Sequence, residues 1–400
     1  MKKLLLGAHL SIAKGLGNVH KQMYDINADC CAIFLKNQRR YESKPYNPVD
    51  VEKYKHNHKE FILNRYVSSD NKEKCGNGDM GNSDNDDRGN NSISNKDNNT
   101  THTNNININN KYTVIDNIIL PHGSYLINMA SSDDSIRKKS YECLLDDMNR
   151  CKELNIKYYN LHPGSDTQKN GIRAYELVAD MINKVLKETD DNINSNVNSD
   201  KSNDNNNTYI DNTNNTYKDN KPVILIENMA GQGNVLGNTF EGIKRIIDLV
   251  EDKSRIGVCL DTCHLYGAGY NISNKNTIYD GNRNCNRNRN DDDNKNITDN
   301  TDTITDKRNK YYGNFGRILD KFNNIIGIEY LKGMHINDSK EECNSRKDRH
   351  ESIGKGKIGI ETFRELVNDS RCRGIPLVLE TPDNSKYKEE VEMLRNMAEW

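Results

Sequence analysis

Eight short, β-prone apolar runs, separated by stretches long enough for a helix, leave this chain few folds to choose from. They fall at about residues 4–8, 31–35, 118–120, 158–161, 223–226, 256–260, 330–334 and 376–379. Between them, helical spacing is clearest over residues 135–154, where Ile136, Leu144, Met148, Cys151 and Leu154 mostly recur every three or four positions. Residues 239–250, with Phe240, Ile243, Ile246, Ile247 and Val250, repeat it. Alternating strand and helix favours a parallel sheet, and eight repeats favour closure into an α/β (β/α)8 TIM barrel.

Three tracts break the pattern, near 68–111, 189–220 and 274–310, each dominated by Asn, Asp, Ser and Lys. None can bury enough apolar surface to offset the entropy of ordering, so all three are expected to be disordered insertions in connecting loops. His102 and Cys285 lie inside them and are expected to be solvated. The tracts account for the low hydrophobic share of 34% and the mean hydropathy of -0.95. Without them about 290 residues remain, close to the ~250 of one barrel, so residues 1–400 are expected to form one domain.

The net charge of -2 gives no global basic field, so nucleic-acid binding would need a local patch. Ten cysteines without a CxxC pair point to reduced, buried thiols in an intracellular protein. No run approaches the ~18 apolar residues of a membrane span. The opening MKKLLLGAHLS mimics a signal peptide, but its apolar part is too short and is expected to be the first strand.

Most of the apolar runs end at, or just before, a metal-type side chain. His122, His162, Glu227, Asp261, His264, His335, Asp348, His350 and Glu380 form this set, which takes up five of the ten histidines. The C-terminal ends of barrel strands are where such folds gather their chemistry. Buried together, nine carboxylates and imidazoles would be prohibitively costly unless cations neutralised them. Asp261-Thr-Cys-His264 puts a carboxylate and an imidazole in one tight turn, and in Asp348-Arg-His350 alternate residues of an extended segment face one ion. Mixed N and O donors suit Zn²⁺, with Mn²⁺ or Fe²⁺ as alternatives, and the number of arms leaves room for more than one ion. Ions ~3.5–4 Å apart suit phosphodiester hydrolysis.

The residues flanking these positions resemble the endonuclease IV family, the zinc-dependent apurinic/apyrimidinic endonucleases of DNA base excision repair. The resemblance rests on Gly7-Ala8-His9, Lys36-Asn37-Gln38-Arg39, the segment from Leu120 to Asn128, Asn160-Leu-His162-Pro-Gly-Ser165, Ile226-Glu227-Asn228, Ala230-Gly-Gln-Gly233, the segment from Gly257 to His264, Gly333-Met-His335-Ile-Asn-Asp338, Asp348-Arg-His350 and the segment from Gly374 to Thr381. It covers essentially all of the chain outside the three tracts. By resemblance, His122, His162 and Glu227 hold one zinc. Glu227 bridges to a second held by Asp261, His335 and Glu380, and His264, Asp348 and His350 hold a third. Glu227 is then the catalytic residue to test. The implied reaction is cleavage 5′ to an abasic site, leaving a 3′-hydroxyl and a 5′-deoxyribose phosphate, with 3′-phosphodiesterase and 3′-phosphatase activity besides. The implied partner is double-stranded DNA containing abasic sites, met by a monomer in the nucleus or a DNA-containing organelle such as the mitochondrion.

An abasic nucleotide has lost its stacking and flips out of the duplex at reduced cost. Arg39 and Tyr125 match the family positions that fill the gap, and Lys332, Lys340, Arg346, Lys347, Arg349, Lys355 and Lys357 are expected to contact phosphates. Arg40, Tyr41, Asp166 and Met229 depart from the family pattern. Gly354-Lys-Gly-Lys-Ile-Gly359 fits a dinucleotide fingerprint by spelling, but it follows no first βαβ strand. The rival reading is a xylose-isomerase-like sugar isomerase or epimerase with a single Mn or Zn ion, which would leave His122, His162, His264, Asp348 and His350 without a task.

Overall fold

The computed structural model describes residues 3–67, 118–199, 221–274 and 313–399. Seven parallel strands form one sheet in the order β2-β1-β9-β6-β5-β4-β3. In chain order they are β1 (Leu5–Leu10), β2 (Cys30–Ile33), β3 (Tyr158–Leu161), β4 (Val223–Glu227), β5 (Ile256–Asp261), β6 (Leu331–Ile336) and β9 (Pro376–Leu379). The gap between β2 and β3 is filled by residues 118–122. Cys31 N donates to Ile118 O at 2.9 Å and His122 N to Ile33 O at 2.9 Å, while Asn160 N donates to Pro121 O at 2.8 Å. This eighth stave closes the ring as a TIM barrel. Pro121, which has no N–H to donate, keeps it to isolated parallel bridges instead of a continuous ladder.

The strands read as apolar runs because both faces are covered, one by the barrel interior and the other by helices. Close stave packing also explains Gly7, where a Cβ would sit 1.7 Å from the carbonyl oxygen of Cys30. The covering helices include α1 (Val19–Asp25), α2 (Pro48–Ile62), α3 (Asp134–Glu153), α4 (Ile172–Ser199) and α5 (Phe240–Leu249). After them come α6 (Thr262–Ala268), α7 (Asn314–Ile325), α8 (Ile360–Asn368) and α9 (Tyr387–Asn396). The two helices read most clearly from spacing carry side-chain caps: Asp133 accepts from the amides of Ser135 and Ile136 at the start of α3, and Thr239 from Gly242 N at the start of α5.

Two expectations need correcting. The second insertion was to start at Thr189, yet Thr189 and Asp190 belong to α4. Thr189 is buried and donates to the Val185 carbonyl, and Asp190 pairs with Lys221 and Arg255 at 3.0 and 2.7 Å. The third was to start at Asn274, which is buried with its amide 2.5 Å from Glu365. Polar composition marks Asp190 and Asn274 as loop, but partners distant in sequence order them. The rest of these two tracts from residue 200 and residue 275 on, and the whole of 68–111 including His102, lie outside the described residues, as does Cys285. Among the described residues no helix is long and apolar enough to cross a membrane. Eight cysteines there are free, and all but Cys343 are buried.

A short antiparallel hairpin, β7 (Asp338–Ser339) with β8 (His350–Glu351), rises from the end of β6 and was not anticipated. The glycine-rich 354–359 segment folds beside it. Its amides bind a carboxylate of the chain itself: Gly356 N and Ile358 N donate to the buried Asp338 at 3.0 and 2.9 Å. Asp338→Ala would leave the buried Ile358 amide and the half-buried Gly356 amide unpaired, and a loss of about 3 kcal/mol in urea-unfolding stability is expected. A loss below about 0.5 kcal/mol would contradict this account of the loop.

Candidate metal centre

All eight staves run the same way, so their C-terminal ends open on one face. His122 ends the 118–122 stave, Glu227 ends β4 and Asp261 ends β5; His335 is next to last on β6, while His162 and Glu380 directly follow β3 and β9. His264 comes from the first turn of α6, with Asp348 and His350 from the hairpin. The nine residues expected to carry chemistry are thereby brought to one place.

Glu227, essentially fully buried, lies at the middle. Its Oε2 is 3.3 Å from His122 Nε2 and 3.5 Å from His162 Nε2, and its Oε1 is 3.2 Å from Nδ1 of both His264 and His335. His335 Nδ1 is also 3.2 Å from Glu380 Oε2. On the outer side, Asp348 stands 3.1 Å from His264 Nε2 and 3.1 Å from His350 Nε2, and Asp261 is 3.7 Å from His350. Three sets of donor atoms therefore lie close enough to share an ion: His122, His162 and Glu227; Glu227, Asp261 and His335; and Asp261, His264 and His350. Asp261 as well as Glu227 belongs to two of these sets, and a further set of His122, His335 and Glu380 overlaps them through His122 and His335.

These residues fit zinc. Ligands 2.0–2.1 Å from a tetrahedral ion are about 3.3 Å from one another, and the N···O separations here run from 3.1 to 3.7 Å. Nε2 of both His264 and His350 is buried yet has no hydrogen-bond partner among the described residues, although a carboxylate lies beside each. Imidazoles aimed at a shared point, not at each other's protons, have this geometry. The opposite ring nitrogens are pinned. His122 Nδ1 donates to Gly123 O at 2.8 Å, His264 Nδ1 to Asn228 O at 2.9 Å and His350 Nδ1 to Glu380 O at 3.0 Å, leaving each Nε2 free to ligate.

Electrostatics shows the cost of leaving these groups together. Burial opposes ionisation of Glu227, but His335, His162 and His122 outweigh it and hold the carboxyl well below its ordinary range. Glu380 and Asp348 shift the same way, burial again being outweighed by His335 and His9 for the first and by His264 and His350 for the second. Burial would lower His350, yet Asp261 and Asp348 push it up to about 9. His264 and His335 are likewise raised against burial, by Asp261 in the first case and by Cys259 and Glu380 in the second. His162 goes down, because burial outweighs Glu227.

A pH prediction follows for the metal-free protein. Imidazoles with raised pKa values contribute stability that is complete below about pH 6.5 and is lost as the pH rises through about 9 for His350. The depressed carboxyls contribute stability above about pH 4 that is lost on acidification. Chelated protein should therefore melt at a lower temperature at about pH 9 than at about pH 6.5, whereas zinc, which displaces those protons, should bind more tightly over the same rise. A melting temperature for the chelated protein that climbs across this window would contradict the pairing.

Four positioning side chains were not singled out from the sequence. His9 Nδ1 sits 2.7 Å from Glu380 Oε1, and Asn160 donates to Glu227 Oε2 at 2.6 Å. Asn337 donates to Asp261 Oδ2 at 2.7 Å and accepts from Glu380 N at 2.9 Å, and Asn228 accepts from Asp261 N at 2.6 Å. A signal existed for two of them: Asn160 and Asn337 stand two residues from His162 and His335, the spacing that puts strand side chains on one face. Cys263 also comes near Asp348 and His350, and with no ion bound burial and Asp261 push its thiol up to about 12.

Tyr125 is exposed at the rim, its ring 5.3 and 5.6 Å from those of His122 and His162. Arg39 is exposed on the loop after β2. The basic residues expected to meet phosphates divide. Lys340, Arg346 and Arg349 lie on the loop that joins the two hairpin strands, and Lys355 lies just after the second strand. Lys347 and Lys357 are paired with Glu341 and Glu342 at 3.1 and 2.6 Å. Lys332 is near the start of β6, at the end of the barrel away from the site, and is withdrawn as a contact because chain direction puts it there.

The xylose isomerase-like TIM barrel family matches residues 115–397. A protein of Phocaeicola vulgatus named as a probable endonuclease 4 is 33% identical over 398 residues, covering 99% of both chains. The chain belongs to the endonuclease IV family. An apurinic-apyrimidinic endonuclease 1 of Plasmodium falciparum is 34% identical over 98% of this chain but 47% of its own length, and its Plasmodium berghei counterpart is covered over 55%. This chain thus spans about half the length of those two relatives. Among solved structures, endonuclease IV of Thermus thermophilus superposes with a TM-score of 0.61 at 21% identity over 98% of both chains, a likeness of fold. A D-tagatose 3-epimerase-like protein shares the same barrel at a TM-score of 0.54 and 15% identity, over 99% of this chain and 97% of its own.

Proposed function

We propose that this chain hydrolyses the DNA phosphodiester on the 5′ side of apurinic/apyrimidinic sites, using three zinc ions held by His122, His162, Glu227, Asp261, His264, His335, Asp348, His350 and Glu380. The observation that carries this reading is the buried cluster itself, with N···O separations of 3.1 to 3.7 Å and unpartnered imidazole nitrogens. The family relatives, named as endonuclease 4 and apurinic-apyrimidinic endonuclease 1, support the substrate class. Zinc bound there would supply a nucleophile at neutral pH and stabilise charge on a phosphoryl group.

The chain's own groups do the rest. Glu227 supplies negative charge between two donor sets, with Asn160 fixing one of its oxygens. Asp261 is fixed by Asn228 and Asn337, and Glu380 by His9. Tyr125 and Arg39, on the rim of the same face, would fill the space left by a flipped abasic nucleotide, and the basic segments around the hairpin would contact backbone phosphates. The same face would accept a 3′-blocked end, giving 3′-phosphodiesterase and 3′-phosphatase activity. The reading places a monomer in the nucleus or another DNA-containing compartment. The test is a purified chain and a duplex with one abasic site. Cleavage without added magnesium that stops after prolonged chelation is expected, and magnesium-dependent cleavage that chelated, zinc-free protein retains would overturn the reading.

A further inference from the structure

The two side chains at the rim sit on different loops, Arg39 after β2 and Tyr125 after the 118–122 stave. The loops are tied together directly. Tyr41 OH donates to Leu126 O at 2.9 Å, and Ser124 Oγ donates to Gln38 O at 2.8 Å. Behind them, one buried residue of α3 holds the far end of the first loop. Arg150 Nη2 donates to Lys44 O at 2.9 Å, its guanidinium lies 4.5 Å over the ring of Tyr46, and its Nε pairs with Asp146 at 3.0 Å. The same Asp146 holds Lys36 at 2.6 Å, fixing the near end. Anchored on α3 at both ends and clipped to its neighbour in the middle, the 36–46 segment cannot move without the 124–128 turn.

We infer that Tyr41, on a loop whose far end Arg150 holds, is a positioning residue for damage recognition: it makes the Arg39 loop and the Tyr125 turn one preformed wedge. The inference rests on the proposed DNA-incision function. Among the described residues, Tyr41 and Arg150 bond to Leu126, Asp146, Ser43 and Lys44 and to none of the nine metal-type side chains, so their effect should fall on binding and not on the chemical step. Preorganised loops bind more tightly because their ordering cost is already met.

Steady-state cleavage of an abasic duplex, with zinc content measured on the same samples, tests this. Tyr41→Phe removes only the hydroxyl and should raise KM about fivefold, the worth of one neutral hydrogen bond, with kcat and zinc content unchanged. Arg150→Met, which frees the loop end, should raise KM about tenfold or more with zinc again unchanged. In a Tyr125→Ala background Tyr41→Phe should add almost nothing, because the wedge it completes is gone. An unchanged KM in Tyr41→Phe overturns the inference. So does a rise that persists undiminished beside Tyr125→Ala, or a loss of zinc in Tyr41→Phe. If the unaltered chain fails to cut the duplex at all, the underlying function falls and takes this inference with it; if it cuts and Tyr41→Phe cuts identically, only the inference falls.

Discussion

Glu227→Gln is expected to lower kcat on an abasic duplex by about 10³-fold or more while leaving the fold intact. The amide has the same shape as the carboxylate, so the barrel around this buried position needs no repacking. What changes is charge and donor chemistry. One carboxylate now faces His122, His162, His264 and His335 within 3.5 Å, Oε2 toward the first pair and Oε1 toward the second, and replacing an oxygen by NH₂ removes the negative charge that both donor sets share and one of the two ligand atoms. Zinc content should fall along with activity, because neighbouring cations lose the charge that offsets their mutual repulsion. Activity within about tenfold of the unaltered chain, with zinc retained, would mean that Glu227 is not the bridge.

The second large effect concerns how many ions the centre holds. Zinc-replete protein should carry about three tightly bound ions per chain, and Asp348→Ala about two, with activity down by about 10²-fold or more. Asp348 is suited to this test because the side chains it meets are His264 and His350, each 3.1 Å away, and it is partly exposed, so its removal leaves little of the core unpaired. A single-ion sugar epimerase would need Glu227, Asp261, His335 and Glu380 but not the hairpin ligands. One manganese per chain, untouched by Asp348→Ala, would therefore favour the epimerase reading.

Much of this arrangement was legible in the sequence because barrel geometry turns strand ends into a common face. Once eight apolar runs are recognised, His122, Glu227, Asp261 and His335 must share it, whatever the loops do. The Asp348/His350 pair was legible as alternate residues of an extended segment, but not the hairpin that carries it, since two-residue strands leave no periodic trace. Asp338 was missed for a different reason: its partners are backbone amides of the 354–359 segment, and amides have no sequence signature. Asp190 and Asn274 fall in the polar tracts because a local window sees polar residues and cannot see Arg255 or Glu365 waiting elsewhere in the chain. Lys332 failed on direction: a basic residue three positions before a ligand on the same strand lies about 10 Å down the barrel, away from the substrate face.

The central claim is tested most directly by incubating the purified chain with an end-labelled duplex containing one abasic site and identifying both new ends. The account predicts a single cut on the 5′ side of the lesion, leaving a 3′-hydroxyl that a polymerase extends and a 5′-deoxyribose phosphate. No cut by zinc-replete protein, or a cut on the 3′ side leaving an unsaturated sugar fragment, would contradict it.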